Sequence, residues 1–231
     1  MKKTFTATTS ASTASTTSTS ATGARQASAQ RTRALIVNAA LEELSGANAA
    51  AAFSIDAVAK RAGVARMTVF NCYANRSTLL NAVCDAMAHS ADLLDVTDLM
   101  NEPEIGQAFA QYVDCFAQFY AQYTLPLRRL RAYAALDTEL GALMQARDAK
   151  RTAGLTWLVQ RLVGASPLDA PSQQVQAVVA QLKALLCLQV YESLASAAHG
   201  GAKPSKQLWA MAQAVLAQFM KNTGNVSVIW S

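Results

Sequence analysis

Long apolar runs are missing from this 231-residue chain. None approaches the ~20 residues that a membrane-spanning helix needs. The nearest, 177–190, is interrupted by Gln181, Lys183 and Gln189, so no membrane partner is expected. Cysteine is sparse: Cys72, Cys84, Cys115 and Cys187 stand far apart with no C-x-x-C spacing. Neither a zinc site nor a disulfide framework is signalled, and these residues suit reduced, intracellular core positions. The two histidines, His89 and His199, are distant in sequence, and His89 reads as a surface or satisfied side chain. There is no Ser/His/Asp arrangement, no glycine-rich phosphate loop and no carboxylate pair. Accordingly no catalytic residue, metal or cofactor is expected, and nothing argues for an enzyme. Charged residues make up only 15% of the chain against 52% hydrophobic, which suits a folded, helix-rich protein with a substantial core.

The charge that is present is unevenly placed. Residues 1–80 hold nine Lys/Arg and three acids, whereas 81–231 hold eleven and twelve. The whole formal excess of +5 thus belongs to the N-terminal end, as a basic footprint for nucleic acid requires. Residues 4–24 are almost entirely Thr, Ser and Ala. This stretch is too polar for the apolar core of a secretion signal, and the expected location is cytoplasmic. Residues 1–27 read as a disordered tail, unable to bury enough surface to offset the entropy of ordering. Arg25, Arg31 and Arg33 close it, within reach of phosphate or a minor groove. A first helix over 33–44 follows, with Leu35, Ile36, Ala39, Ala40 and Leu44 as its inner stripe. Phe53 plugs the core at the end of a connector.

The chain is organised around 54–76, SIDAVAKRAGVARMTVFNCYANR. Ile55, Val58 and Ala59 share one face of a short helix. Ser54 precedes it as a cap, and Asp56 lies in its first turn, where the helix dipole favours negative charge. Gly63 permits φ > 0, which ends that helix and redirects the chain. A second helix runs on through Arg66, Met67, Thr68, Val69 and Phe70. This is the layout of a helix-turn-helix, whose second helix lies in the DNA major groove.

With Ser54, Val58, Ala59, Ala62, Gly63, Val64, Thr68, Val69, Phe70, Tyr73, Asn75, Arg76, Leu79 and Leu80 at matching positions, the run 39–80 resembles the DNA-binding region of the tetracycline-repressor (TetR) family. The match covers about a fifth of the chain. Phe70 stands where Tyr is usual, Cys72 where Tyr or His is common, and Arg76 where Lys is usual. The resemblance implies an all-α protein: an N-terminal three-helix helix-turn-helix DNA-binding domain at 28–76, then a larger helical ligand-binding and dimerisation domain at 77–222, with 223–231 a C-terminal tail. The DNA contacts it implies are Ser54, Ala65, Arg66, Met67, Thr68, Phe70, Asn71, Cys72 and Arg76. Arg66 suits bidentate bonding to guanine O6 and N7, Asn71 suits adenine or the backbone, and Thr68 a phosphate or a thymine methyl. Arg76, at a helix N-terminus, suits phosphate.

Beyond Ser77 the apolar spacing predicts long helices. Leu79, Leu80, Val83, Met87 and Leu94 mark a fourth. A fifth starts with Pro103 in its first turn, and Pro126 ends it. A short helix over 127–140 exposes Arg128, Arg129 and Arg131, and another runs from about 138 to 163. The last two span about 172–198 and 204–221, separated by Gly200-Gly201. In proteins of this resemblance the final pair docks on its two-fold mate, giving a homodimer that reads a palindromic double-stranded DNA operator. A small, mainly apolar effector would enter the body, with Met87, Phe109, Tyr112, Val113, Phe116, Tyr120, Met144 and Trp157 as candidate contacts, and release a repressor. The other class left open is an all-helical small-molecule-binding protein or enzyme in which DNA binding is incidental.

Overall fold

Helix caps and one proline set most of the boundaries in this structure. The computed structural model describes residues 17–46, 53–91, 93, 101–166, 170–197 and 203–223, and its architecture is all-α. The elements are α1 (Thr17–Ser45), α2 (Ile55–Ala62), α3 (Arg66–Cys72), α4 (Arg76–Ser90), α5 (Ile105–Ala134), α6 (Thr138–Leu162), α7 (Gln173–Leu185), α8 (Leu188–Ala197) and α9 (Pro204–Asn222). Leu94, the Gly200-Gly201 link and 224–231 lie outside the described residues, as do 1–16. No single helix among the described residues is long and apolar enough to cross a membrane.

Five sequence expectations need correction. The first helix begins at Thr17 rather than near 33, so 17–27 are helical, not part of a disordered tail. Ala24, Arg25, Gln26 and Ala27 are good helix formers next to the packed part of α1, and no proline interrupts the weaker Thr/Ser run before them, so the helix propagates outward from its packed end. Leu35 is 55% exposed. The buried arc is centred on Ile36, Ala40 and Leu44, and at 100° per residue position 35 falls beyond its edge. Pro126 does not end α5. It lacks an N–H and crowds the carbonyl four residues back, so the helix kinks at Tyr123 (φ −121°, ψ 24°) and continues to Ala134. Pro103 lies outside this helix, because Glu104 is its N-cap. Finally, the penultimate helix is two. Leu186 leaves helical geometry (φ −85°, ψ 39°), and α7 and α8 meet at a 46° bend.

The core joins all of the helices, with Ile36, Leu44, Leu80, Met87, Phe109, Leu130, Leu158, Leu182 and Leu216 essentially inaccessible. The α5–α6 corner fastens the N-terminal helices to the body. Arg129, expected to be exposed, reaches the end of α1, donating from Nη1 to the Glu43 and Leu44 carbonyls (2.9 and 2.8 Å) and from Nη2 to that of Gly46 (2.6 Å). These are the orphan acceptors of a helix terminus, where a cation is also favoured by the dipole. The Phe53 N–H donates to the Tyr133 hydroxyl at 3.0 Å. Asn75 Nδ2 donates to the Glu139 carboxylate (3.0 and 3.1 Å), and the Ser77 hydroxyl to Asp137 (3.1 and 3.2 Å). The Leu140 N–H and the Ser77 hydroxyl hold the Asp137 carboxyl below its ordinary value.

Candidate nucleic-acid interface and effector cavity

The pair α2–α3 is built as its residues dictate. Ser54 Oγ accepts the Ala57 N–H at 3.5 Å, and Asp56 occupies the first turn. Gly63 is left-handed (φ +66°, ψ 31°), the Val64 N–H reaching back five residues to the Ala59 carbonyl at 3.0 Å. That is the Schellman closure, for which an L side chain at φ > 0 is unfavourable. Ala65 is the N-cap of α3 without a side-chain bond. Val58, Ala59 and Val69 are buried between the two helices and their neighbours. Asn75 and Thr78 form a reciprocal capping box at the start of α4.

The faces of α3 then separate. Ala65, Arg66, Met67 and Asn71 are exposed, Met67 by 65%. A large apolar side chain so open to water is unusual in a core-forming helix. Thr68 and Phe70 are half-buried at the margin. Arg66 lies 5.5 Å from the Phe70 ring centroid and pairs with Asp56, Nη1 meeting the two carboxylate oxygens at 2.9 and 2.8 Å. Cys72 is half-buried and packs against the core. Tyr73 does the same, its hydroxyl 3.4 Å from the Arg33 carbonyl. Arg76, expected to offer its guanidinium to phosphate, turns inward instead. It stacks 4.4 Å from the Tyr133 centroid and 5.8 Å from that of Phe53, with Nε buried and unpartnered. Nearby, Arg61 is held by Glu42 and Glu43 (3.2 and 2.6 Å). So two of the basic residues counted in the N-terminal charge are already paired with carboxylates.

Behind this unit, α4, α5 and α6 line a cavity of about 640 Å³ that is partly open to solvent, within the range that holds small molecules. Met87, Tyr112, Phe116, Tyr120 and Met144 line it. The structure does not bring the other three expected residues to it. Phe109 and Val113 are sealed in the core at 1% exposure, and Trp157 is half-buried with Arg161 5.5 Å from its ring. The apolar arc of α5 is so wide that spacing alone could not separate core from cavity wall. Tyr112 and Tyr120 donate to the Arg151 and Leu186 carbonyls (3.3 and 3.1 Å). Burial pushes both phenols up, so they stay protonated donors.

Sequence reasoning missed the polar part of the wall: Arg131, Arg147, Lys150 and Arg151, with Gln145 and Asp148. The signal lies in the α6 stretch ARDAKR, four charges in six residues on a helix that packs against α5. Cys84 also lines the cavity, 4.0 Å from Met144 Sδ, and burial raises its thiol to about 11. His89 is exposed on α4 and is not among the lining residues. The four cysteines are free thiols, and the described residues hold no group of three metal-ligating side chains.

No protein-family model matches this chain, and no curated protein matches it in sequence. Its fold does have a solved counterpart. A crystal structure described as a transcriptional regulator from Rhodococcus sp. Rha1 superposes with a TM-score of 0.60, over 82% of this chain and 96% of that one, at 13% sequence identity. The chain therefore shares the fold of that protein over about four-fifths of its own length.

Proposed function

We propose that this chain is a sequence-specific DNA-binding transcriptional regulator of the tetracycline-repressor type, a cytoplasmic homodimer released from its operator by a small effector. The single observation that carries this reading is the exposed Arg66, Met67 and Asn71 face of α3, presented behind the Gly63 turn at the basic end of the chain. Arg66 exchanges Asp56 for guanine O6 and N7, and Asn71 reads adenine or bonds the backbone. Thr68 and the exposed Ala65 lie along the same approach. The half-exposed apolar residues Leu185, Val190, Leu194, Val215 and the exposed Met211 on α7, α8 and α9 form the face for a second copy. A two-fold pair would set two α3 helices about one DNA turn apart (~34–36 Å) on a palindromic operator.

The effector enters the cavity between α4, α5 and α6. Two positions of α4 relative to the body must differ in effector affinity, since a ligand that binds both equally shifts nothing. The α5–α6 corner, through Arg129, Tyr133, Glu139 and Asp137, is the link by which such a shift reaches α1 through α4. The cavity alone would serve a carrier equally well, and DNA binding separates the two readings. Fluorescence anisotropy with duplexes flanking this protein's own coding region tests it. Specific binding should fall steeply with salt. Arg66→Ala should weaken it by about 1–3 kcal/mol and relax one base position. Equal affinity for all duplexes, unchanged in Arg66→Ala, would overturn base reading by α3.

A further inference from the structure

The cavity wall is divided in chemistry. One side is aromatic and thioether: Tyr112, Phe116, Tyr120, Met87 and Met144. The other is cationic beyond what its acids can balance. Arg147 is committed to Asp85 (2.5 Å) and Asp148 to Lys183 (2.5 Å). Arg131, Lys150 and Arg151 have no carboxylate at ion-pair distance among the described residues. Arg131 rests on the neutral Gln189 side chain at 2.7 Å.

Arg151 is the most exceptional. It is half-buried, its Nη2 donates to the Leu186 carbonyl, its guanidinium lies 5.0 Å from the Phe116 ring centroid, and its Nε is buried with no partner. A guanidinium withdrawn from water and given a neutral carbonyl and a ring is under-compensated, because its strongest bonds are to anions. Leu186 offers that carbonyl because α7 ends there, and Tyr120 also donates to it. The Leu186 acceptor would therefore keep a partner if Arg151 turned to a ligand.

We propose that the effector is an organic acid with an apolar body, its anionic group seated on Arg151 and its body against Phe116, Tyr120 and Met144. The proposal rests on the reading of this cavity as the effector site and assigns the chemistry of that effector. Arg131 and Lys150 add attraction without a carboxylate to compete, while Asp148 is occupied by Lys183.

Two fluorescent probes that share one anilinonaphthalene body make the test. 1-Anilinonaphthalene-8-sulfonate carries an anion, and N-phenyl-1-naphthylamine lacks it. With the full-length protein, the sulfonate should bind about tenfold tighter, one per subunit. Decanoate should displace it where decanol does not. Arg151→Gln should bring the two dyes within about twofold of each other. A neutral dye that binds as tightly as the sulfonate, or a preference that survives Arg151→Gln, overturns the acid while leaving the cavity a ligand site. Binding of neither dye overturns both. Should Arg151→Gln lose its far-UV helical signal, the ratio of the two dyes on the unmodified protein, with the decanoate and decanol displacement, decides alone.

Discussion

Arg66 on α3 and Arg151 on α6 carry the same guanidinium into opposite surroundings. Arg66 stands in water, 59% exposed at the side chain, and pairs with a carboxylate that is 63% exposed. Arg151 is half-buried among rings and has a carbonyl as its hydrogen-bond partner. In the first setting the pair is cheap to exchange, because exposed ion pairs contribute little. In the second, an incoming anion meets a charge that water no longer screens well. The difference separates the two regions by task. The α2–α3 unit keeps its polar groups solvated and ready to be traded for DNA. The body sets Arg151 against a ring and a carbonyl at the wall of a cavity, where an entering anion would meet it.

Stability should divide the same way. Leu158 on α6 is wholly inaccessible. Leu158→Ala removes its packing and leaves a void, costing about 2–5 kcal/mol. Urea denaturation should show the full loss in one transition that includes both regions, since the core runs continuously from Ile36 to Met220. Two separate transitions would show that the α2–α3 unit and the body fold independently, and the contrast would become one between domains.

Gly63→Ala sharpens the contrast from the other side. The residue is left-handed at φ +66°, yet a Cβ there meets nothing within 4 Å. Its cost is backbone strain alone, about 1–2 kcal/mol, confined to the joint between α2 and α3. DNA affinity should fall while dye binding in the cavity stays unchanged. A loss of dye binding in this variant would mean that the two regions are coupled even without DNA.

Much of this was legible in the residues, and unevenly. The start of α2 and the turn into α3 were legible because Ser54 and Gly63 act locally: each caps or turns the chain through its own neighbours. The cavity was half legible. The spacing of Tyr112, Phe116 and Tyr120 marked a buried face, yet Phe109 and Val113 share nearly the same arc, and only the packed structure shows where the wall ends. The charges of α6 could not be placed on the cavity wall from the sequence, because a helical wheel cannot show that Arg151 reaches the Leu186 carbonyl 35 positions away. Arg76 failed for a related reason. Its position at a helix start suggested phosphate, whereas Phe53 and Tyr133 offer rings that sequence separation concealed. The α7–α8 break had no proline or glycine to announce it.

The smallest expected effect bears most directly on the role of Arg66. Asp56 holds both oxygens to Arg66 Nη1 at 2.9 and 2.8 Å, so reading a guanine means giving up that pair. Asp56→Asn removes the competitor and a negative charge that would face phosphate. Operator affinity should rise a few-fold, in keeping with the roughly 0.2–1 kcal/mol of an exposed pair, and the gain should shrink as salt is added. The same change removes a first-turn acid from α2, so unfolding stability should drop by about 0.3–1 kcal/mol through the helix dipole. Opposite signs in binding and stability are the signature of a competing pair. If affinity falls instead, Asp56 orients Arg66 for the base rather than restraining it, and the α2–α3 face is as preorganised as the cavity wall. Anisotropy at two salt concentrations, beside urea denaturation of the same variant, separates these outcomes.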